Sequence, residues 1–430
     1  MKRIALLFLL FPFLLPGQRM AIELMTYNLM YYKAPSTPCS HSRSGAQRDT
    51  DLKTVVQYVK PDILCVTEMG ATPLNPPVIA SSILNVDGTS HFQYANFSSS
   101  SFSSIANGFF YNANKLALVG QSSVKRDLNN VPLVREVNFY RLYVKDQALS
   151  QANADTTFFS VGVVHFKAGS DPSDQTARQE AAAAIMDHID QNISDENVIL
   201  TGDFNMRGPG ETAFQTLTQY TASPDESLQD PLSLGGRWHN RSNMASHHTQ
   251  STHRSSQGCF VGGGMDDRFD LFLVSDEIRN GSNKLHYLQY DALGQDGSSF
   301  NGSLNRSSNF EVNTAVANAL YNFSDHLPVL MEIEAEVSGI GLDERAYLQE
   351  HLQVRNPFVH RLKLEHSGLK KQNHRVRISD LTGRTMAREV WPGGPNVGPL
   401  HFDTSNWPAG IYLLTLQSEN GSYTRKLIKR

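Results

Sequence analysis

Short apolar runs that end in, or open from, a chemically capable side chain recur along the chain. Residues 22–25 lead to Thr26-Tyr27-Asn28, 63–66 to Thr67-Glu68, 158–164 to His165, and 198–200 to Thr201-Gly202-Asp203-Phe204-Asn205. Arg268-Phe269-Asp270 opens the run 271–274, and Ser324-Asp325-His326-Leu327-Pro328 opens 329–333. Runs this short and this rich in branched residues predict buried strands. Between them, Leu52, Val55, Val56 and Val59 follow helical spacing until Pro61, and Asp171-Pro172 opens an Ala-rich helix reaching residue 189. Residues 214–220 predict a short helix. Residues 109–111, 116–119 and the alternating Val137, Phe139, Arg141 and Tyr143 predict successive antiparallel strands. Two stretches show no such pattern. Residues 73–104, rich in Ser, Asn, Pro and Gly, are expected to be loop. The polar segment 235–264 carries His239, His247, His248 and His253 at no zinc-site spacing and is expected to be a solvated, mobile loop.

With 430 residues, 40% hydrophobic and 19% charged, the chain can bury a large core and more than one domain is expected. Met1-Lys2-Arg3, the apolar run 4–15 and Pro16-Gly17-Gln18 form the pattern of a secretory signal, assigned to residues 1–18. A membrane span needs about 20 apolar residues, more than this run or any later one offers, so an exported, soluble chain is expected. Export makes disulfides available to Cys39, Cys65 and Cys259. Cys65 lies within an apolar strand and reads as a buried thiol. Cys39 and Cys259, both in polar loops, are either bonded to each other or free. Charge divides the chain: residues 19–350 hold 23 Lys and Arg against 37 Asp and Glu, a net of −14, whereas 351–430 hold 13 against 5, a net of +8. An acidic main part excludes a clamp that grips nucleic acid through a broad basic face. It suits an enzyme that recruits divalent cations.

The strand-end groups are Asn28, Glu68, His165, Asp203, Asn205, Asp270, Asp325 and His326. Carboxylates, amides and imidazoles without cysteine suit a hard cation with oxygen ligands. Gly-Asp-x-Asn alone is also a good turn. In order and context, however, Thr-Tyr-Asn, the Glu-ended strand, Gly-Asp-Phe-Asn at 202–205 and Ser-Asp-His-Leu-Pro-Val at 324–329 resemble the endonuclease/exonuclease/phosphatase superfamily. That resemblance implies an α/β fold: a four-layer sandwich of two packed, mostly antiparallel sheets flanked by helices, here spanning 19–336. It implies Glu68 as principal Mg²⁺ ligand, with Asn28 beside it and Asp325 opposite; Ca²⁺ or Mn²⁺ are alternatives. It implies that Asp203 aligns the attacking water and Asn205 holds a phosphate oxygen. His326, oriented by Asp270, would be general base or transition-state stabiliser, with His165 on the scissile phosphate. The family often has Gln before the metal-binding Glu; Thr67 stands there, which leaves that neighbour's role open.

Beyond a polar linker at 337–352, residues 353–430 are basic and strand-rich, with strand-and-turn patterns at 376–384 and 407–413. They resemble the C-terminal sorting domain of the type nine secretion pathway, which implies a small β-sandwich, the secretion machinery as partner, and release from or attachment to the outer cell surface. A small sugar- or protein-binding sandwich is the alternative. The expected function is a secreted, metal-dependent phosphodiesterase, a monomer acting on extracellular DNA or RNA. A sphingomyelinase-type lipid phosphodiesterase or an inositol phosphate phosphatase are alternatives, the former expected to expose a membrane-docking hairpin, for which 92–102 with its three Phe is the candidate. An inactive surface-binding protein on the same scaffold is the alternative from another class.

Overall fold

The computed structural model describes residues 18–430 apart from 101–102, 146–155, 196, 224–225, 306–308, 338–343, 368, 370–371, 395–396 and 419–420. The expected signal sequence therefore lies, but for its last residue, outside the described residues. In chain order the elements are β1 (Gln18–Tyr32), α1 (Gly45–Val59), β2 (Ile63–Gly70), α2 (Asn75–Ile79), β3 (Phe92–Tyr94), β4 (Ile105–Asn112), β5 (Leu116–Arg126), β6 (Pro132–Val144) and β7 (Phe158–His165). There follow α3 (Pro172–Asn192), β8 (Val198–Asp203), α4 (Thr212–Thr218), β9 (Asp270–Val274), α5 (Asp276–Asn280), β10 (Leu285–Ala292), α6 (Thr314–Phe323) and β11 (Val329–Val337). They build a six-stranded sheet, β10-β11-β1-β2-β4-β3, and a five-stranded sheet, β5-β6-β7-β8-β9. The pairs β1–β2 and β7–β8 are parallel, and each is joined through one helix, as parallel neighbours require.

Strand alternation decides which residues meet. Val161, Val163, Ile199, Phe272 and Val274 face the first sheet, whereas Val164, Leu200, Leu271 and Leu273 pack beneath α3 and α4. On β1 the same alternation sends Tyr27 outward against Phe323 of α6, ring centroids 5.4 Å apart, and its neighbour Asn28 inward. The result is helices, sheet, sheet, helices, the expected four-layer order. Truncating an inner residue such as Phe272, which is fully buried, to Ala should cost about 3–5 kcal/mol.

Two expectations need correction. Residues 73–104 are not all loop: they contain α2, a wider-pitched turn at Ala80–Leu84 and β3, because Ile79, Ile83 and Leu84 bury a helical stripe that the surrounding Pro, Asn and Ser mask in composition. The histidine-bearing segment is not a solvated loop either. His248 and His253 are buried, His253 stacked between Phe260 and Tyr321, and the backbone of 249–252 bonds to Asp267, Gly264 and Asp325. Cys39 and Cys259 are joined in a disulfide, and Cys65 is a buried free thiol.

The C-terminal part comprises α7 (Glu344–His351), β12 (Leu352–Val354), β13 (Arg361–His366), β14 (Asn373–Asp380), β15 (Thr385–Pro392), β16 (Leu400–Asp403), β17 (Gly410–Ser418) and β18 (Gly421–Lys429). Its sheets, β12-β13-β16 and β15-β14-β17-β18, enclose a core that includes Leu362, Ile378, Trp391 and Leu414. Much of the stretch expected to be linker is α7, whose Leu348 is buried in that core; residues 338–343 lie outside the described residues. This sandwich is seated on the outer face of β1, β10 and β11. Arg388 lies 3.1 Å from Glu23 and 3.6 Å from Asp291, and Arg377 lies 3.4 Å from Asp291. Tyr58 donates to the Arg388 carbonyl at 2.7 Å, and Ser422 and Thr385 donate to Glu334 and Asp291.

Candidate active site

Each strand-end group reaches the gap between the sheets by a local device. Asp203 and His165 end the parallel pair β8–β7 opposite each other. Gly202, one residue earlier, has φ +133°, and a Cβ there would stand 2.0 Å from the Val164 carbonyl, so glycine is required. Asn205 follows at φ +50°. On β2 regular alternation would point Glu68 outward. The register shift between Val66 and Met69, with Glu68 itself at φ +55°, turns its carboxylate inward.

The groups meet in one cluster, buried but for the half-buried Asn205. Asn28 Nδ2 donates to Glu68 Oε1 and to Asp203 Oδ2, both at 3.1 Å, while its Oδ1 accepts from the Met30 N–H at 2.9 Å. His165 Nε2 is 3.6 Å from each of the same two carboxylates. His326 Nε2 lies 3.8 Å from Asp203 Oδ2, and its Nδ1 lies 2.8 Å from Asp270 Oδ2, which also accepts from Thr249 Oγ1 at 2.7 Å. Asp325 Oδ2 accepts from the Val261 N–H at 3.0 Å. Asn205 donates its backbone N–H to Asp203 Oδ1 at 3.0 Å and its side-chain amide to the Phe166 carbonyl at 3.3 Å. All eight groups singled out in the sequence are therefore brought together.

Burial dominates the electrostatics. It pushes the Asp203 carboxyl up to about 7, Asp270 and Glu68 adding to the rise and His326 opposing it. It raises Glu68 and Asp325 as well. It drives the His165 imidazole well below its ordinary value, with Arg135 and His326 contributing, so this ring is neutral. Burial also opposes the His326 charge, but Asp270 and Asp203 outweigh it and hold the ring protonated.

The donor set fits a divalent cation. Glu68 Oε2 and Asp325 Oδ1 are buried carboxylate oxygens without a hydrogen-bond partner, and Glu68, His165 and Asp203 offer ligand atoms within 4.8 Å of one another. Of the expected ligands, Asn28 turns its amide nitrogen rather than its oxygen to Glu68.

Two further residues belong to the site. Gln250 Nε2 lies 2.8 Å from His326 Nε2 and donates to Asp325 Oδ2 at 3.3 Å. Arg135, at the start of β6, donates to the Phe166 carbonyl at 2.9 Å and lines a small recess with His165 and Asn107. The only sequence signal for Arg135 is a charge in an alternating strand; Gln250 had none.

A four-layer sandwich whose two sheets meet at acids, amides and imidazoles defines a class of hydrolases. The Endonuclease/Exonuclease/phosphatase family matches residues 25–326, and the chain belongs to that family, whose members hydrolyse phosphate esters. The Secretion system C-terminal sorting domain matches residues 356–430, so the chain is exported, to be secreted or attached at the cell surface. No curated protein sequence matches the chain. Among solved structures it is similar to the human Nocturnin catalytic domain with bound sulfate, at 14% identity over 74% of this chain and 96% of that one, TM-score 0.46. It is similar to an endonuclease/exonuclease/phosphatase from Bacteroides vulgatus, at 14% identity over 74% and 99%, TM-score 0.46. It is also similar to D. rerio TDP2 complexed with a single-strand DNA product, at 11% identity over 73% and 98%, TM-score 0.45. No described helix is long and apolar enough to cross a membrane.

Proposed function

We propose that the chain is an exported, divalent-cation-assisted phosphodiesterase that cleaves nucleic acid outside the cell. The observation that carries this reading is Asp203, which lies within 3.8 Å of both imidazoles and beside Glu68, whose Oε2 is buried without a partner among the described residues, as is Asp325 Oδ1. Mg²⁺, Ca²⁺ or Mn²⁺ would be held by Glu68 and Asp325, with Asn28 fixing the Glu68 carboxylate. The cation supplies positive charge against the phosphoryl oxygens when bound.

The chain's own residues do the rest. Asp203, with its carboxyl raised to about 7, orients the attacking water and accepts its proton near neutral pH. His326, kept charged by Asp270, faces the oxygen on which charge develops. His165 is neutral and can donate one hydrogen bond to the phosphate. Asn205 can exchange its 3.3 Å bond to the Phe166 carbonyl for another phosphate oxygen. An open groove of about 620 Å³ runs between the loops that follow His165 and Asn205, lined by Arg178, Arg207 and Arg237. Glu211 neutralises Arg178, leaving two cations for an extended polyanion. Against a lipid substrate, Phe92 is buried and Phe97 packs on the core, so neither forms a membrane-docking hairpin; Phe102 lies outside the described residues.

The test is incubation of purified protein with plasmid DNA, RNA, sphingomyelin and inositol phosphates, with and without chelator. Chelator-sensitive cleavage of DNA or RNA is expected. Hydrolysis confined to sphingomyelin or inositol phosphates overturns the substrate assignment, and no hydrolysis of any substrate overturns the enzymatic one.

A further inference from the structure

A second polar cavity lies away from the candidate active site, at the seam between the sandwich body and the C-terminal domain. It measures about 150 Å³ and is lined by Lys60, Asp62, His91 and Lys115 of the body and by Arg375 and Gln417 of the tail, among others. A volume roughly ten times what one water needs holds a small ion with its hydration. Lys60 and Asp62 sit in the turn between α1 and β2, at the far end of β2 from Glu68. Six residue steps along the strand separate Asp62 from Glu68, about 20 Å.

Charge in this cavity does not balance. Among the described residues Asp62 is its sole lining carboxylate, and it is saturated: Oδ2 takes Lys115 Nζ at 2.9 Å and the Glu23 N–H at 3.1 Å, Oδ1 takes Asn112 at 2.9 Å, and Arg375 stands 3.6 Å away. The Lys60 ammonium makes no hydrogen bond or ion pair to any described residue, while its backbone N–H is taken by the Val56 carbonyl. Yet the Arg375 guanidinium donates to the Lys60 carbonyl, which brings a second positive charge close to it. Three cations therefore face one carboxylate. On the opposite wall Gln417, only 3% exposed, accepts from Arg375 through Oε1 at 3.3 Å, while its Nε2 is buried without any acceptor. A half-buried lysine whose ammonium has no partner among the described residues and a glutamine whose amide donor is buried without one line the same small cavity, and a negatively charged acceptor would serve both.

We propose that this cavity binds a small multivalent oxyanion of the inorganic phosphate class, held by Lys60 and Gln417 with Arg375 beside them. Because Lys60 belongs to the body and Arg375 and Gln417 to the tail, the anion ties the two parts together. It acts on docking of the sorting domain and not on catalysis.

The experiment is calorimetric titration of the full chain with inorganic phosphate in the presence of chelator, which removes cation-dependent binding at the active site. Chloride at matched ionic strength is the control, and melting temperature is measured in parallel. Expected are one binding event and a phosphate-dependent rise in melting temperature. Lys60→Gln and Gln417→Leu should each weaken binding by roughly tenfold, the loss of one charge-assisted or buried hydrogen bond. Phosphodiester turnover with cation restored should be unchanged in both. Lys60 is half-buried and outside the core, so Lys60→Gln tests the idea even if Gln417→Leu fails to fold. Wild-type affinity in Lys60→Gln, no binding to the parent chain, or an equal response to chloride overturns the proposal.

Discussion

Asp270→Asn tests the division of labour in the site, because it keeps the shape of the side chain and removes one charge. Asp270 is 1% exposed, its Oδ2 lies 2.8 Å from His326 Nδ1, and Thr249 donates to the same oxygen. A buried hydrogen bond to a charged group contributes about 1.5–3 kcal/mol, so turnover should fall roughly 10- to 150-fold. The pH profile separates this from a structural effect. In the mechanism proposed above Asp203 must be ionised, which sets the acid limb, and His326 must be protonated, which sets the alkaline limb. Asp270 helps to hold the pKa of both His326 and Asp203 up, so its neutralisation should move the alkaline limb to lower pH and draw the acid limb down with it. The assay is hydrolysis of bis(p-nitrophenyl) phosphate at saturating cation across pH 5–10, with thermal melting as the folding control. Near-parental turnover would refute the reasoning, and so would a uniform loss with both limbs unmoved.

Glu68→Gln should abolish turnover at any Mg²⁺ concentration that saturates the parent, read by plasmid cleavage; activity that persists in this variant or in excess chelator would remove Glu68 from the cation site. Burial pushes the Glu332 carboxyl to about 7, with Glu23 adding to the rise. A raised folded-state pKa stabilises at low pH, and that contribution is lost as pH rises from about 4.5 through 7, so Tm should fall over this window and Glu332→Gln should flatten the dependence in a melting series. Ending the chain after Gly341 removes Arg377 and Arg388 from Glu23 and Asp291 and should lower Tm by several degrees, while turnover per folded molecule stays at the parental level; lost turnover with an intact fold would show that the tail feeds the site.

The positions of the catalytic candidates were legible because each buried strand must stop being apolar where it leaves the core, and the residue at that point carries the chemistry. Asp203, His165 and Asp270 are read this way directly. Glu68 was found at its strand end, but its aim depends on a backbone conformation at φ +55° that composition does not encode. Gln250 was invisible: it contacts His326, 76 positions away, from a segment whose composition is that of a surface loop, and only tertiary bonds to residues 264–267 and 325 hold it there. The opposed charges of the two halves were plain in the sequence. That they meet as buried pairs was not, because alternation assigns Glu23 to an outer face without saying what covers it.

Seating the tail on that outer face also fixes where its charge lies. The region bearing a net −14 has its candidate site on the inner side of the first sheet, and the region bearing +8 is attached on the outer side. The molecule is therefore a permanent electric dipole whose positive pole is the sorting domain. Near an anionic surface such a dipole turns its positive pole inward, which leaves the acidic part, with the candidate site, on the side away from that surface.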